Sequence, residues 1–486
     1  MASGPQHDPF DPVFCRALDA ADRDSIEVRL RDQRAQRLGH QLSALQHPRI
    51  AAQLGERKEI LDRLFLDLLA LSDDEPERFA ELVSHWALTF LLARLIEGVP
   101  DPERQTRVLD SLQGLLISQR LAARSQRRED FRTSPRLLDL LQDRAVTHSA
   151  PADATSIHWT FEGEGCVLSS DDGNRAQLSL PWTPGQAIEW RDLPRLRSWG
   201  VPCLDAMESL GLETFTPASD DPAYQPSDDW TPTPFDEGLE AAHGLLIELW
   251  PEVAQWTKAL VPAFADMGGP PSRHVHRSGS YEAGTPIILS KIDDPFKHAE
   301  DLVHELQHER FHLLVDKGEV PCWNDARQRY VSPYRTDPRP LRGVLLGLHA
   351  FVPVNELRLR LAEREGLDTV RTRHMLKSHR FNLFAFRTLA EHETLEGASG
   401  RLIAELGGLL SEQHPRVEAL IDDDQRAEVE ERMQRHVASL ADVPDIQNTD
   451  PRYSAWDETA ALGAELASTI ATEAPRGTEA STGVTR

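Results

Sequence analysis

The chain has 486 residues, enough for two or three domains or for one large enzyme core with an added region. Its 53 lysines and arginines against 79 aspartates and glutamates give a net charge of -26, which repels phosphate backbones and argues against nucleic acid as a partner. The four cysteines, Cys15, Cys166, Cys203 and Cys322, form no C-x-x-C pair; this excludes a zinc ribbon or dithiol redox motif and leads us to expect reduced cytoplasmic thiols.

Met1 to Pro12 has no basic segment followed by an apolar run, and the most apolar stretch, Trp86 to Ile96, is short and carries Arg94. Neither a signal peptide nor a membrane span is expected, and the expected location is the cytoplasm. Residues 13 to about 145 read as helices throughout, with Leu, Ala, Arg and Asp at helical spacing and few glycines, and Ile60 to Leu71 and Phe79 to Ile96 give the clearest apolar faces. This N-terminal helical region, 1–149, is expected to serve as a scaffold or as a docking surface for a substrate.

From Ala150 the texture changes. Ser156 to Phe161, Gly165 to Ser169 and Ala176 to Leu180 are short and rich in β-branched or aromatic residues, with Asp171-Asp172-Gly173-Asn174 as a hairpin turn, so a small antiparallel sheet is expected. Pro217 to Pro234 reads as a linker closing a β-rich segment over 150–234. Phe235 to Phe264 returns to helix, broken near Pro251. Ile287 to Ser290 is a strand candidate that lies at a sheet edge or begins at Pro286, which cannot donate to a ladder. An exposed edge there would hold an extended peptide by backbone hydrogen bonds.

The next segment carries His304-Glu305-Leu306-Gln307-His308, an H-E-x-x-H pattern on a helix that Asp293, Asp294 and Pro295 introduce and Gly318 ends. Residues four apart lie on one helical face, so His304 and His308 can present two imidazole nitrogens to one metal ion. The competing reading is a solvated amphipathic helix that carries two histidines by chance. A third protein ligand is needed, with open positions for water or substrate. The following helix, Leu341 to Leu361, offers His349 in the apolar turn Gly347-Leu348-His349-Ala350-Phe351, and Glu356 seven residues on; His349 is preferred because an imidazole among apolar neighbours needs a reason. His312 has rotated off the ligand face and is read as structural or supporting, and His274 and His276 are weaker candidates.

Such a site suits two chemistries. A zinc ion would activate water with Glu305 as general base, giving peptide hydrolysis. An Fe(II) ion would use its open positions for a chelating cosubstrate and dioxygen. An oxygenase using 2-oxoglutarate needs a cation for the distal carboxylate, and Arg335, Arg339 and Arg342 lie in or beside the loop between the two ligand-bearing helices; the bland alternative is an ion pair with Asp337 or loop packing. Thr369 to Glu393 and Gly400 to Leu440 supply further helices. The tail, 441–486, loses its large apolar residues and is expected to be largely flexible.

His304-Glu305-Leu306-Gln307-His308, Tyr330 to Leu341 and Gly347 to Val354 together resemble the HExxH-type peptide modification proteins of ribosomally made peptide systems. The likeness covers roughly residues 270 to 410 and reaches the N-terminal helices only through Ser84-His85-Trp86-Ala87-Leu88. It implies an Fe(II)- and 2-oxoglutarate-dependent β-hydroxylase of a precursor peptide. The implied ligands are His304, His308 and His349, and the implied cosubstrate arginines are Arg335 and Arg339. It assigns no fixed role to Glu305. No C-x-x-x-C-x-x-C cluster is present, so a stand-alone enzyme is implied rather than a fusion to a radical enzyme. The fold class expected is α+β and mainly helical, with the motif helix beside a small antiparallel sheet in a catalytic region over 235–440. A metallopeptidase and a non-catalytic peptide-binding scaffold are the alternatives.

Overall fold

The computed structural model describes residues 20–55, 57–97, 102–122, 129–133, 138–139, 144–148, 157–162, 165–170, 175–179, 188–192, 195–198, 202–204, 234–267, 278–281, 284–292, 294–316, 328–393, 397–440, 446–448 and 455–473. The turn at 171–174, most of the linker at 217–233, His274, His276, Asp293 and the end of the tail lie outside them. The fold is mainly helical with small sheets. Backbone contacts divide it into two units. One contains Leu245–Thr257 and the chain from Ala299; the other contains Arg23–Gly244 and Lys258–His298.

In the second of these, six helices come first: Ala20–Leu45, Pro48–Leu54, Arg57–Asp74, Pro76–Ser84, Trp86–Glu97 and Pro102–Ala122. Their leucines bury one continuous core with Trp159, Leu168, Ala265 and Ile288 of the strands, which is how amphipathic helices too short to hold alone are stabilised. Among the described residues no single helix is long and apolar enough to cross a membrane. Pro76–Ser84 and Trp86–Ile96 reach that length only as a pair bent by 61°.

The helical run ends at Ala122, earlier than the helical pattern predicts. Glu129–Thr133, Leu138–Asp139 and Arg144–His148 are strands. The reason is pairing at a distance. Glu129–Thr133 lies antiparallel to Ile157–Glu162, with Phe131 opposite Trp159, and Arg144–His148 pairs with Ile188–Asp192. Cross-strand partners decide β structure more than local propensity does. The predicted meander is present as Ile157–Glu162, Gly165–Ser170 and Arg175–Ser179.

A third sheet holds Cys203–Leu204, Phe264–Asp266, Ser278–Gly279 and Ile287–Leu289. Ile287–Leu289 does begin after Pro286, but it is not an edge. It pairs antiparallel with Ser278–Gly279 and parallel with Phe264–Asp266, so this sheet is mixed and both sides of the strand are taken. All three residues are buried. The expectation that an extended peptide adds to this strand is therefore corrected, because its ladder groups already have partners.

Two histidines in this unit predict acid sensitivity. Burial, then the Arg34 guanidinium, pushes His85 down to about 3, and burial pushes His243 down to about 4 against the opposing pull of Glu240. His243 Nδ1 lies 2.5 Å from Ser198 Oγ. An unfolded histidine takes up its proton near pH 6.5. Between that pH and the folded values the unfolded chain binds more protons. The stability is thus complete above about pH 6.5 and is lost as pH falls towards 4, by up to about 1.4 kcal/mol per pH unit for each group. Thermal unfolding followed from pH 8 to pH 5 should give a midpoint flat above pH 7 and falling below pH 6, with a shallower fall in His243→Gln. A midpoint that rises on acidification would refute the assignment.

The first unit is built from Leu341–Glu365, Thr369–His392, Gly397–Glu418, Asp423–Leu440 and Trp456–Glu473 with the motif helix. Trp456–Glu473 corrects the expectation of a tail that is flexible over most of its length. Its small residues are a packing surface: a Cβ on Gly463 would stand 2.2 Å from the carbonyl oxygen of Gly407 on Gly397–Glu418, so the two backbones approach as only glycines permit. The same C-terminal part fixes the loop after the motif helix. Asn448 is fully buried; its Oδ1 accepts from Val331 N at 2.7 Å, and its Nδ2 donates to Val331 O at 3.2 Å and to Thr388 Oγ1 at 2.8 Å. Asn448 therefore holds the strand-like start of the arginine loop, where Tyr330 and Arg339 also exchange backbone hydrogen bonds.

Candidate metal centre

The motif helix spans Pro295–Asp316. Asp294 caps it, accepting from Phe296 N at 2.9 Å, and Pro295 fills the first turn where no donor is missed. Nearly every side is buried, including charged positions. Two of those charges are matched: Arg358 Nε donates to Glu300 at 2.6 Å, and Arg310 lies over the ring of Trp256 at 4.5 Å and donates to Gln307 Oε1 at 3.2 Å. Buried charge is tolerable only with such partners. They lock the helix in rotation, and with it the face that carries the motif.

On that face His304 Nε2 and His308 Nε2 are 3.0 Å apart. A cation bonded to both at about 2.1 Å would hold them roughly 3.0 to 3.4 Å apart for ligand angles between octahedral and tetrahedral values. The Glu305 carboxylate is 4.0 Å from His304 Nε2. One ligand atom from each of His304, Glu305 and His308 can be chosen so that all lie within 4.8 Å of one another. Burial, and then the neighbouring His304, His312 and His349 imidazoles and the Arg335 guanidinium, hold His308 well below the usual imidazole range. A metal-ligating imidazole must be neutral, so the donor set fits a first-row divalent ion.

The remaining predicted residues divide. His349 is fully buried, its ring 5.5 Å from that of Phe311, and it lies within electrostatic reach of His308 but outside the tight group of three. Glu356 is turned to other work. Its Oε1 accepts from Arg360 at 3.1 Å and its Oε2 from Arg416 at 2.8 Å, so its carboxylate is held in an ion-pair network. Arg335 is exposed and acts on His308. Arg339 is paired with Asp337 at 2.9 Å, with Arg339 partly and Asp337 more fully exposed. Such a surface pair is weak enough to be exchanged for a ligand carboxylate. His312 also acts on His308, as a supporting neighbour rather than a member of the tight group.

Sequence reasoning missed the aromatic wall of the site. The ring of Phe351 meets that of His304 at 4.5 Å and 60°, and Tyr334 stacks on Phe351 at 4.7 Å and 15°. One signal pointed there: Gly347 interrupts an otherwise good helix four residues before Phe351, and an interior helix glycine usually marks a close approach.

A scan against protein-family models finds no match for this chain, and a search of curated proteins finds none either.

Proposed function

We propose that this protein is an Fe(II)- and 2-oxoglutarate-dependent hydroxylase acting on the β-carbon of a residue in a ribosomally made precursor peptide. The observation that carries the reading is the pair of imidazole nitrogens 3.0 Å apart, one of them held neutral by burial, with Arg335 in electrostatic reach. The peptide substrate rests on the resemblance of residues 270 to 410 to the HExxH-type peptide modification proteins. Iron with 2-oxoglutarate and dioxygen supplies the oxidising power that turns a C–H bond into C–OH, releasing succinate and carbon dioxide.

The residues divide the remaining labour. His304 and His308 donate neutral nitrogens, and His349 is the third ligand in this reading. Arg335 receives the distal carboxylate of the keto acid, a planar group that a guanidinium binds bidentately. Arg339 joins it by exchanging Asp337. Glu305, buried beside both histidines, orients a bound water by accepting its hydrogen bond. The purified chain, loaded anaerobically with iron and 2-oxoglutarate and offered a panel of peptides, should on admission of oxygen form succinate and add one oxygen atom to one of them. Peptides recovered unchanged and no succinate across the panel would refute the proposal.

One observation favours a second reading, zinc-dependent peptide hydrolysis: the Glu305 carboxylate is 4.0 Å from His304 Nε2, near enough to serve as a general base for a water on a bound zinc. Glu305→Gln separates the two. Under the oxygenase reading the variant retains succinate formation within about tenfold, because no hydrolytic base is required. Under the hydrolase reading chelator-sensitive cleavage falls by about 10²- to 10⁴-fold, and the wild type forms no succinate.

A further inference from the structure

Tyr334 stands one residue before Arg335 and is not one of the grouped residues His304, Glu305 and His308, yet its side chain meets three fixed features of the site. Its hydroxyl donates to Asn382 Oδ1 at 2.8 Å. Asn382 Nδ2 in turn donates to the carbonyl of Phe351 at 3.1 Å. The Tyr334 ring stacks on the Phe351 ring, and the Phe351 ring packs against the imidazole of His304. Gly347 makes the approach possible, since a Cβ there would lie 2.4 Å from Tyr334 Cδ2. Burial holds the Tyr334 hydroxyl well above its ordinary range, so it remains a neutral donor.

An imidazole on a helix turns about two side-chain bonds, and ligand rings are ordinarily fixed by a hydrogen bond to the second ring nitrogen. Here the Phe351 ring packs against the His304 imidazole, and Phe351 is itself held by the stacked ring of Tyr334 and at its backbone by Asn382. A helix-interior glycine costs about 1 kcal/mol relative to alanine. At Gly347 that cost goes with the space Tyr334 occupies. We propose that Tyr334 is a positioning residue for the metal centre, setting the ring plane of His304 through Phe351. The inference rests on the reading of His304 as a metal ligand.

The test uses the full chain and Co(II) as the probe, with affinity and the visible ligand-field spectrum as readouts. Tyr334→Leu removes the stack, Tyr334→Phe keeps it and removes only the hydroxyl, and Gly347→Ala and Phe351→Leu reach the same contact from the other side. Tyr334→Leu, Gly347→Ala and Phe351→Leu should each weaken Co(II) binding by about 10- to 100-fold and alter the spectrum. Tyr334→Phe should stay within about threefold with the wild-type spectrum. The double variant Tyr334→Leu/Phe351→Leu should lose little more than either single change, because both cut one chain of contacts. If Tyr334→Leu does not fold, Gly347→Ala and Phe351→Leu carry the test. Wild-type affinity and spectrum in the folded stack-breaking variants would overturn the proposal while leaving the metal centre standing. A wild-type chain that binds no Co(II) would remove both.

Discussion

Replacing His308 with alanine should lower affinity for a divalent metal by at least about a hundredfold while the chain still folds. The binding free energy of a structural zinc, about 10 to 16 kcal/mol over four ligands, amounts to roughly 3 kcal/mol per ligand, or about two powers of ten. His308 has a second consequence for affinity. Burial, and then its neighbours His304, His312, His349 and Arg335, oppose its protonation, so the neutral donor is available without a proton having to leave. His304→Ala should behave alike, since its Nε2 faces the same point. Isothermal titration with Co(II) or Zn(II) measures the loss, and circular dichroism verifies the fold. Near-wild-type affinity in both single variants would place any metal elsewhere. The motif helix is held by the Asp294 cap, the Glu300–Arg358 pair and Arg310 on Trp256, none of which touches the mutated rings. The unfolding free energy should therefore move by no more than about 2 kcal/mol.

Gly463→Val should be the most destabilising single change in the C-terminal helices, costing more than about 3 kcal/mol. A Cβ at that position meets the Gly407 carbonyl at 2.2 Å, and on the other side a Cβ on Gly407 would meet Phe386 at 2.5 Å. Backbone atoms cannot yield as a flexible side-chain end can, so the helices Gly397–Glu418 and Trp456–Glu473 must separate. Overpacking of a fitted interface costs about 1 to 3 kcal/mol or more, and separation also uncovers the buried faces on both sides. The gain in helix propensity on replacing glycine offsets less than about 1 kcal/mol. Denaturant unfolding read by tryptophan fluorescence, together with proteolysis near Trp456, measures the effect. A variant as stable as the wild type would contradict the close approach. The damage should extend to the arginine loop, because Asn448, just before this helix, holds Val331.

What could be read from the sequence followed the range of the interactions that decide it. The motif helix was legible because its signals are local: Asp294 and Pro295 start it, and His304 and His308 are four apart on one face. The meander between Ile157 and Ser179 was legible from short β-branched runs, and the helix break at Pro251 from the proline itself. Glu129–Thr133 and Arg144–His148 were not, because each is a strand by virtue of a partner more than 20 residues away. Pro286 left two readings of Ile287–Leu289, an edge or a strand that begins at the proline, and the sequence did not decide between them because the partner strands, Phe264–Asp266 and Ser278–Gly279, carry little strand pattern of their own. Trp456–Glu473 was hidden by the small residues that let it pack.

At the site, spacing alone could not separate His349 from Glu356, which lie seven residues apart on one helix. In the structure Arg360 and Arg416 hold the Glu356 carboxylate, and His349 lies outside the tight group of His304, Glu305 and His308. Similarly, position alone gave three arginines in or beside one loop, and only the resemblance pointed to Arg335 and Arg339. Asp337 holds Arg339, while Arg335 reaches His308. Tyr334 had no pattern to announce it beyond the glycine at 347 that makes room for it.

Anaerobic equilibrium dialysis of the metal-free chain against Fe(II), with and without 2-oxoglutarate, bears most directly on the centre. The His304–His308 site with Arg335 beside it predicts about one iron per chain, bound more tightly when 2-oxoglutarate is present, since two ligands that share a site each raise the affinity of the other. A chain that takes up no iron, cobalt or zinc at micromolar concentration, or whose iron binding is indifferent both to 2-oxoglutarate and to the loss of the two imidazoles, would contradict it.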